Sequence, residues 1–166
     1  ARVIGGDGFL RLVSQKYKEE EESFSAALTI ESALDVSETL RTLGSGRVTE
    51  TGVGDRWLQH ALMGDMGADN VVGAEPSGHV ILQHRVESRL GLWGDGAQTM
   101  LEFLRLIDLC GRDWFELASS SKSMNVTYSI SPSNKALWVP DGEIGKLVID
   151  AIVQSLGTDL RRVTRV

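Results

Sequence analysis

Glu75, Ser77 and His79 stand within five residues of one another in the run Glu75-Pro76-Ser77-Gly78-His79. Proline and glycine mark this run as a turn between two β-like stretches, one beginning at Val71-Val72 and one running from His79 to His84. The three side chains are a carboxylate that accepts hydrogen bonds, a hydroxyl that donates and accepts, and an imidazole that moves protons near neutral pH. One carboxylate can accept two hydroxyl protons at once, which suits the vicinal diol of a sugar. Gly78 lets the backbone come close to a ligand. The same five residues also make an ordinary polar hairpin turn, and composition alone favours that plainer reading.

Other chemistries find less support. His60, His79 and His84 show no metal-ligand spacing, and on a strand His79 and His84 would point to opposite faces, so no metal site is expected. Ser77-Gly78-His79 lacks the flanks of a nucleophile elbow. No G-x-x-x-x-G-K-[ST] phosphate loop occurs, and Gly44-Ser45-Gly46 lacks the rest of a dinucleotide fingerprint. The single cysteine, Cys110, lies in the apolar pattern LRLIDLC and reads as a buried structural thiol. No intrachain disulfide is possible, which fits a reducing, cytoplasmic compartment. The sequon Asn125-Val126-Thr127 carries no weight without a secretory signal.

The 166 residues carry a net charge of −6, with 42% hydrophobic and 24% charged residues, the composition of a globular protein. Basic residues are scattered and the one dense charge run, Glu19–Glu22, is acidic and reads as a solvated face. Neither suits binding to nucleic acid. No apolar run reaches the roughly 20 residues of a membrane span. The opening ARVIGGDGF lacks the basic and apolar regions of a signal peptide.

The elements that must hold the turn follow from periodicity. Phe9, Leu10, Val13 and Tyr17 predict a helix from about Asp7, its N-cap, to Lys18. Ala26, Leu28 and Ile30, alternating with Ala27 and Thr29, predict a strand. Ser32 to Leu43 reads as a helix stopped by Gly44-Ser45-Gly46, and Arg47 to Thr51 as β-like. A helix from Asp55, again an N-cap, to Met63 is expected to bury Trp57, Leu58, Ala61 and Leu62. Gly94-Asp95-Gly96 starts the longest helix, through about Leu109, with Asp95 as N-cap and Met100, Leu101, Leu104, Ile107 and Leu109 on its apolar side. A short helix covers Trp114 to Leu117, Ser119 to Ser123 is a linker by composition, Met124 to Ile130 is β-like, and Glu143 to Ser155 is helical. Trp57, Trp93, Trp114 and Trp138 read as packing residues, and Arg56 as a surface or loop-bracing charge. Alternating β and α segments predict an α/β fold, a layered mixed sheet with flanking helices.

Three segments in order, TGVGDRWL, VVGAEPSGHVIL and GDGAQTMLEFLRLI, resemble the third, sugar-binding domain of the α-D-phosphohexomutase superfamily. That superfamily includes phosphoglucosamine mutase and phosphomannomutase/phosphoglucomutase. There a V-G-[DH]-[RK]-[YW] loop, a G-E-x-S-G-H loop and a G-D-G helix start occur in the same order. VIGGDGFLRLVSQ and AALTIESALDVSETLRTLG are similar to the opening helix and the next strand–helix unit of that domain. VGDRW, SGHVIL and GDG lean toward the phosphoglucosamine branch.

The resemblance implies a sugar-binding domain over residues 1–117, a linker at 118–123, and an incomplete phosphate-binding α+β C-terminal domain over 124–166. It implies interconversion of hexose 1-phosphate and 6-phosphate through a phosphoserine, with Mg²⁺ expected in the complete enzyme and no cofactor in this chain. Glu75 and Ser77 would then hold sugar hydroxyls, His79 would sit near the reacting end as the catalytic group, and Gly54, Asp55 and Arg56 would face the cleft. The phosphoserine loop T-A-S-H-N-P, the metal loop D-G-D-G-D-R and the phosphate clamp R-[PE]-S-G-T-E do not occur in these residues. Gly52 stands where many relatives carry a lysine, and Ala74 where a glycine is frequent. The expected ligand is therefore a hexose phosphate, and the expected partners are domains, or a second chain, that carry the phosphoserine and metal loops. Whether this chain is itself an enzyme stays open, the alternative being a non-catalytic sugar-phosphate-binding or regulatory module.

Overall fold

Strand β1 (Phe24–Thr29) is buried along its whole length. Both its faces are covered, so it takes small and apolar residues at every position rather than at alternate ones. The alternation expected through Ile30 therefore gives way to a shorter strand with Ala27 and Thr29 as buried as Ala26 and Leu28. The computed structural model describes residues 3–20, 23–43 and 46–119, with single positions between 142 and 154. The chain divides into two compact units, Ala1–Asn125 and Val126–Val166.

In the first unit the order is α1 (Gly6–Glu20), β1, α2 (Leu34–Thr42), β2 (Gly46–Thr51), α3 (Asp55–Leu62), β3 (Asn70–Ala74), β4 (Val80–Val86), β5 (Arg89–Trp93), α4 (Gly96–Cys110) and α5 (Trp114–Ser119). The strands form one mixed sheet in the order β2-β1-β3-β4-β5. β1 pairs in parallel with β2 and β3, with Phe24 opposite both Gly46 and Asn70. β3 and β4 are antiparallel, with Gly73 opposite Ile81, and β4 and β5 likewise, with His84 opposite Gly91.

Alternate side chains sort the sheet into two cores. Phe24, Ala26, Leu28, Val72, Ala74 and Val80 pack with Phe9, Leu10 and Val13 of α1, Val36 and Leu40 of α2, Leu106 of α4 and Ala118 of α5. On the other face Ala27, Val71 and Ile81 pack with Leu58 and Leu62 of α3. The result is a helix–sheet–helix sandwich. A Cβ on Gly73 would come within 3.1 Å of Leu62 Cδ1, so α3 sits close on β3. Leu58 and Leu62 are fully buried, and removing each from water stabilises the fold by roughly 2 kcal/mol.

Several expectations are corrected. Asp7 is the second residue of α1, not its cap; its Oδ2 accepts from Ala33 N at 2.9 Å, so it ties the start of α1 to the N-cap residue of α2. Asp55 is the first residue of α3, and Gly54 stands at the cap position. Trp57 is 46% exposed, because α3 turns only its Leu58–Leu62 stripe to the sheet. In α4, Met100 and Leu101 are each 63% exposed, and Leu104 and Leu109 are exposed as well. The packed side of that helix carries Phe103, Leu106 and Cys110, and Cys110 is only half-buried. Gly46 starts β2 instead of ending α2, and α2 begins at Leu34, two residues later than the periodicity indicated. His79 precedes β4, so the opposite-face argument against His84 does not apply.

Asp95 caps α4 as expected, its Oδ1 accepting from Gln98 N at 2.9 Å. In the second unit, Glu143, Lys146, Leu147, Asp150, Ala151 and Gln154 are helical, in line with the expected helix. The linker after Ser119, the β-like run 124–130, Trp138 and the end RRVTRV lie outside the described residues.

Candidate functional site

β1, β2 and β3 run in parallel and end together at Thr29, Thr51 and Ala74. Ligands of open α/β sheets bind outside such carboxyl ends, where loops leave the sheet. Ile30 N donates to Thr51 O at 2.9 Å and holds the first two loops side by side.

The third loop is the Glu75–His79 turn. Glu75 N donates to His79 O and Gly78 N to Glu75 O, both at 2.9 Å, which closes β3 onto β4. Gly78 takes a φ of 101°, a region that favours glycine. The turn is backed by the start of α1. A Cβ on Gly6 would lie 2.8 Å from the Glu75 carbonyl carbon, and one on Gly5 would run into the Pro76 carbonyl oxygen. The Gly5-Gly6 pair thus lets a helix N-terminus abut the backbone of the turn.

Glu75 is the centre of the arrangement and only 5% exposed. Its Oε1 accepts from Gly54 N at 2.6 Å, while Oε2 lies 3.2 Å from Ser77 Oγ and 3.2 Å from His79 Nδ1. A carboxylate only accepts, so with Glu75 ionised His79 donates from Nδ1 and turns Nε2 outward. The His79 side chain is 72% exposed. One buried acid therefore binds the loop before α3 to the turn before β4 and orients a hydroxyl and an imidazole at the surface.

Beside this turn lies an open cleft of about 900 Å³, bounded by Asp55, His79, Trp93, Asp95, Met100 and Phe103 among others. Of the residues singled out from sequence, Asp55 and His79 face it, Gly54, Glu75 and Ser77 form the hydrogen-bonded support beside it, and Arg56 is apart. The Arg56 guanidinium lies 5.0 Å over the Trp57 ring on the exposed side of α3. A smaller hollow of about 490 Å³ lies between α1, α4 and the start of β3; Glu102 there pairs with both Lys16 and Arg105.

Two contributors were not legible as site residues, the Gly5-Gly6 pair and Trp93, which the sequence presented as packing. The only local signal was a glycine two residues before Trp93, next to the Gly94-Asp95-Gly96 helix start. Burial raises the Asp7 carboxyl above its usual value, an effect partly offset by the hydrogen bond from Ala33 N. Among the described residues no three His, Cys, Asp or Glu side chains gather to hold a metal ion. The described residues offer no ligand set for the Mg²⁺ expected in a complete enzyme. Among the described residues no helix is long and apolar enough to cross a membrane.

The layering defines an α/β/α domain whose loops gather at the carboxyl ends of three parallel strands. Residues 5–124 match the family described as phosphoglucomutase/phosphomannomutase, alpha/beta/alpha domain III, and the chain belongs to that family. Phosphoglucosamine mutase of Gloeothece citriformis is 33% identical over 122 residues, 72% of this chain and 23% of that protein. The one of Heliobacterium modesticaldum is 31% identical over 126 residues, 74% of this chain and 25% of that protein. The chain thus spans about a quarter of the length of these relatives. A phosphoglucomutase/phosphomannomutase family protein from Burkholderia thailandensis superposes with a TM-score of 0.54 at 18% identity, over 70% of this chain and 24% of that one. N-acetylphosphoglucosamine mutase of Aspergillus fumigatus, solved with GlcNAc-6P and magnesium, gives 0.55 at 15% identity, over 70% and 30%. At these identities the structural likeness shows the fold.

Proposed function

We propose that this chain is the sugar-recognising part of a phosphohexomutase that interconverts hexose 1-phosphate and hexose 6-phosphate, of the phosphoglucosamine or the phosphomannose/phosphoglucose type. The observation that carries this reading is the Glu75 carboxylate, which joins the Gly54 loop to the turn and aims Ser77 and His79 outward beside a cleft. Three hydrogen bonds leave it about one of its four acceptor directions. The contact from exposed Ser77 is long for an O–H···O bond, so a sugar hydroxyl replaces it at little cost. Glu75 and Ser77 then share a sugar hydroxyl, and His79 Nε2 meets the substrate from the rim of the cleft, where it holds or passes a proton.

Asp55 lines the cleft next to Gly54, which is held by Glu75, and Arg56 reaches substrate only by leaving Trp57. The binding energy positions the sugar for in-line transfer. The transferred phosphoryl group, the serine that carries it and the metal loop would come from other domains or from a partner chain. A cytoplasmic setting is part of the same proposal. The purified chain, given glucosamine 6-phosphate or mannose 6-phosphate with Mg²⁺ and a bisphosphate primer, is expected to bind without turnover; turnover would overturn the division of labour. Binding without any such partner in the cell would favour the regulatory module.

A further inference from the structure

Trp93 ends β5 and its indole lies flat on the imidazole of His84, with ring centroids 4.3 Å apart and planes at 17°. His84 is buried on β4, and its Nε2 lies 3.1 Å from the Trp93 carbonyl oxygen. A carbonyl only accepts, so Nε2 donates and the ring is fixed in rotation as well as in position. The strand register explains the meeting: His84 is opposite Gly91 and Leu82 is opposite Trp93, so His84 and Trp93 are diagonal neighbours on one face. Gly91 makes the diagonal contact possible. A Cβ there would lie 2.8 Å from Trp93 Cε3, so the indole crosses the space that a side chain at position 91 would fill. One strand end thus carries a large flat ring locked by an imidazole beneath it and a glycine beside it. Trp93 forms part of the wall of the cleft that His79 also faces, together with Phe103 and Met100.

We infer that Trp93 is a further substrate-contacting residue, its indole stacking against the C–H face of the hexose ring, with His84 as the positioning residue that holds the indole. The inference rests on the reading of the cleft as a sugar site. The electron-rich face of an indole attracts the weakly positive C–H groups of a pyranose, as it attracts the edges of other rings. The charges around the cleft agree with this placement. Its acids are Asp55 and Asp95, and among the described residues bounding it there is no lysine or arginine. This wall therefore takes the sugar ring and not the phosphate. His79 addresses the ring's hydroxyls from the turn while Trp93 covers an apolar face.

The test is a titration of the ¹⁵N-labelled 166-residue chain with glucose 6-phosphate, followed at the Trp93 indole N–H and at His79. The expected result is that both signals shift along one binding curve. Trp93→Leu raises Kd roughly fivefold, Trp93→Phe by less than twofold, and Gly91→Ala raises it as well by pushing the indole aside. His84→Ala weakens binding, and His84→Phe, which restores a flat ring under the indole, recovers it; a purely structural role for His84 would move melting but not this rescue. A His79 shift with a silent Trp93, or wild-type affinity in Trp93→Leu, overturns the inference and leaves the sugar site standing. Silence at both residues overturns the sugar site itself.

Discussion

Glu75 Oε1 accepts a hydrogen bond from Gly54 N at 2.6 Å across 21 residues of sequence. That bond links the loop after β2 to the turn after β3 through a buried carboxyl group. Glu75→Ala leaves Gly54 N–H without its acceptor and Ser77 and His79 without their guide. The expected loss is about 2 to 3 kcal/mol, measured by urea denaturation. Glu75→Gln keeps the shape and is expected to lose less than half of that. Its amide N–H₂ then faces His79 Nδ1, which must accept, and the hydrogen moves to Nε2. ¹⁵N chemical shifts of the imidazole report that change of tautomer.

Gly6→Ala places a Cβ 2.8 Å from the Glu75 carbonyl carbon. Backbone cannot yield as a flexible side chain does, so the turn and the helix must separate. The expected destabilisation is about 1 to 3 kcal/mol, with amide shifts concentrated at residues 74–79. A change confined to α1 would show that the turn does not lean on it.

Asp7 gives a pH dependence. Burial raises its carboxyl above the usual 3.8, against the lowering effects of Ala33 N, Ser32 and Arg11. A raised value in the folded state means that the folded chain binds this proton more tightly than the unfolded chain. Its contribution to stability is therefore fully present below 3.8, falls as pH rises through the raised value, and is gone above it. Asp7→Asn keeps an acceptor for Ala33 N and removes the charge. Its thermal melting is expected to rise at pH 7 relative to the parent and to show a smaller decline above pH 3.8.

Leu58 is fully buried and, among the described residues, belongs to the one helix packed in the core on its side of the sheet. Leu58→Ala is expected to cost about 3 kcal/mol in denaturant unfolding. α3 also carries the Gly54 end, so local opening there should loosen the Gly54–Glu75 bond. Amide exchange at Gly54 is expected to speed up in this variant more than exchange in α1.

The turn was legible in the sequence because its chemistry is local: proline, glycine and three polar groups fall within five residues. The strands and helices on either side were legible from period. β5 was not, because its hairpin turn, Glu87-Ser88, lacks the Asn-Gly or Asp-Gly signal, and Glu87 adopts a φ of 55° without glycine. The apolar residues of α4 were assigned to the wrong side. Period shows that a helix has a stripe, but only tertiary packing shows that Phe103 and Leu106 take the sheet while Met100 and Leu101 face outward. The hold of Glu75 on Gly54 is a long-range pairing with no local signature, and the sequence presented Glu75 only as an acceptor for sugar hydroxyls. Trp93 read only as a packing residue, because its partner His84 lies across a strand pair that the sequence did not reveal.

The central claim is that the turn organised by Glu75 meets a sugar phosphate. Calorimetric titration of the chain and of Ser77→Ala, with glucosamine 6-phosphate as ligand, tests it most directly, because Ser77 is exposed and its loss leaves the fold intact. Saturable binding to the parent and an affinity lower by roughly three- to tenfold in Ser77→Ala is the expected result. Equal affinities, or no binding by either protein, would contradict it.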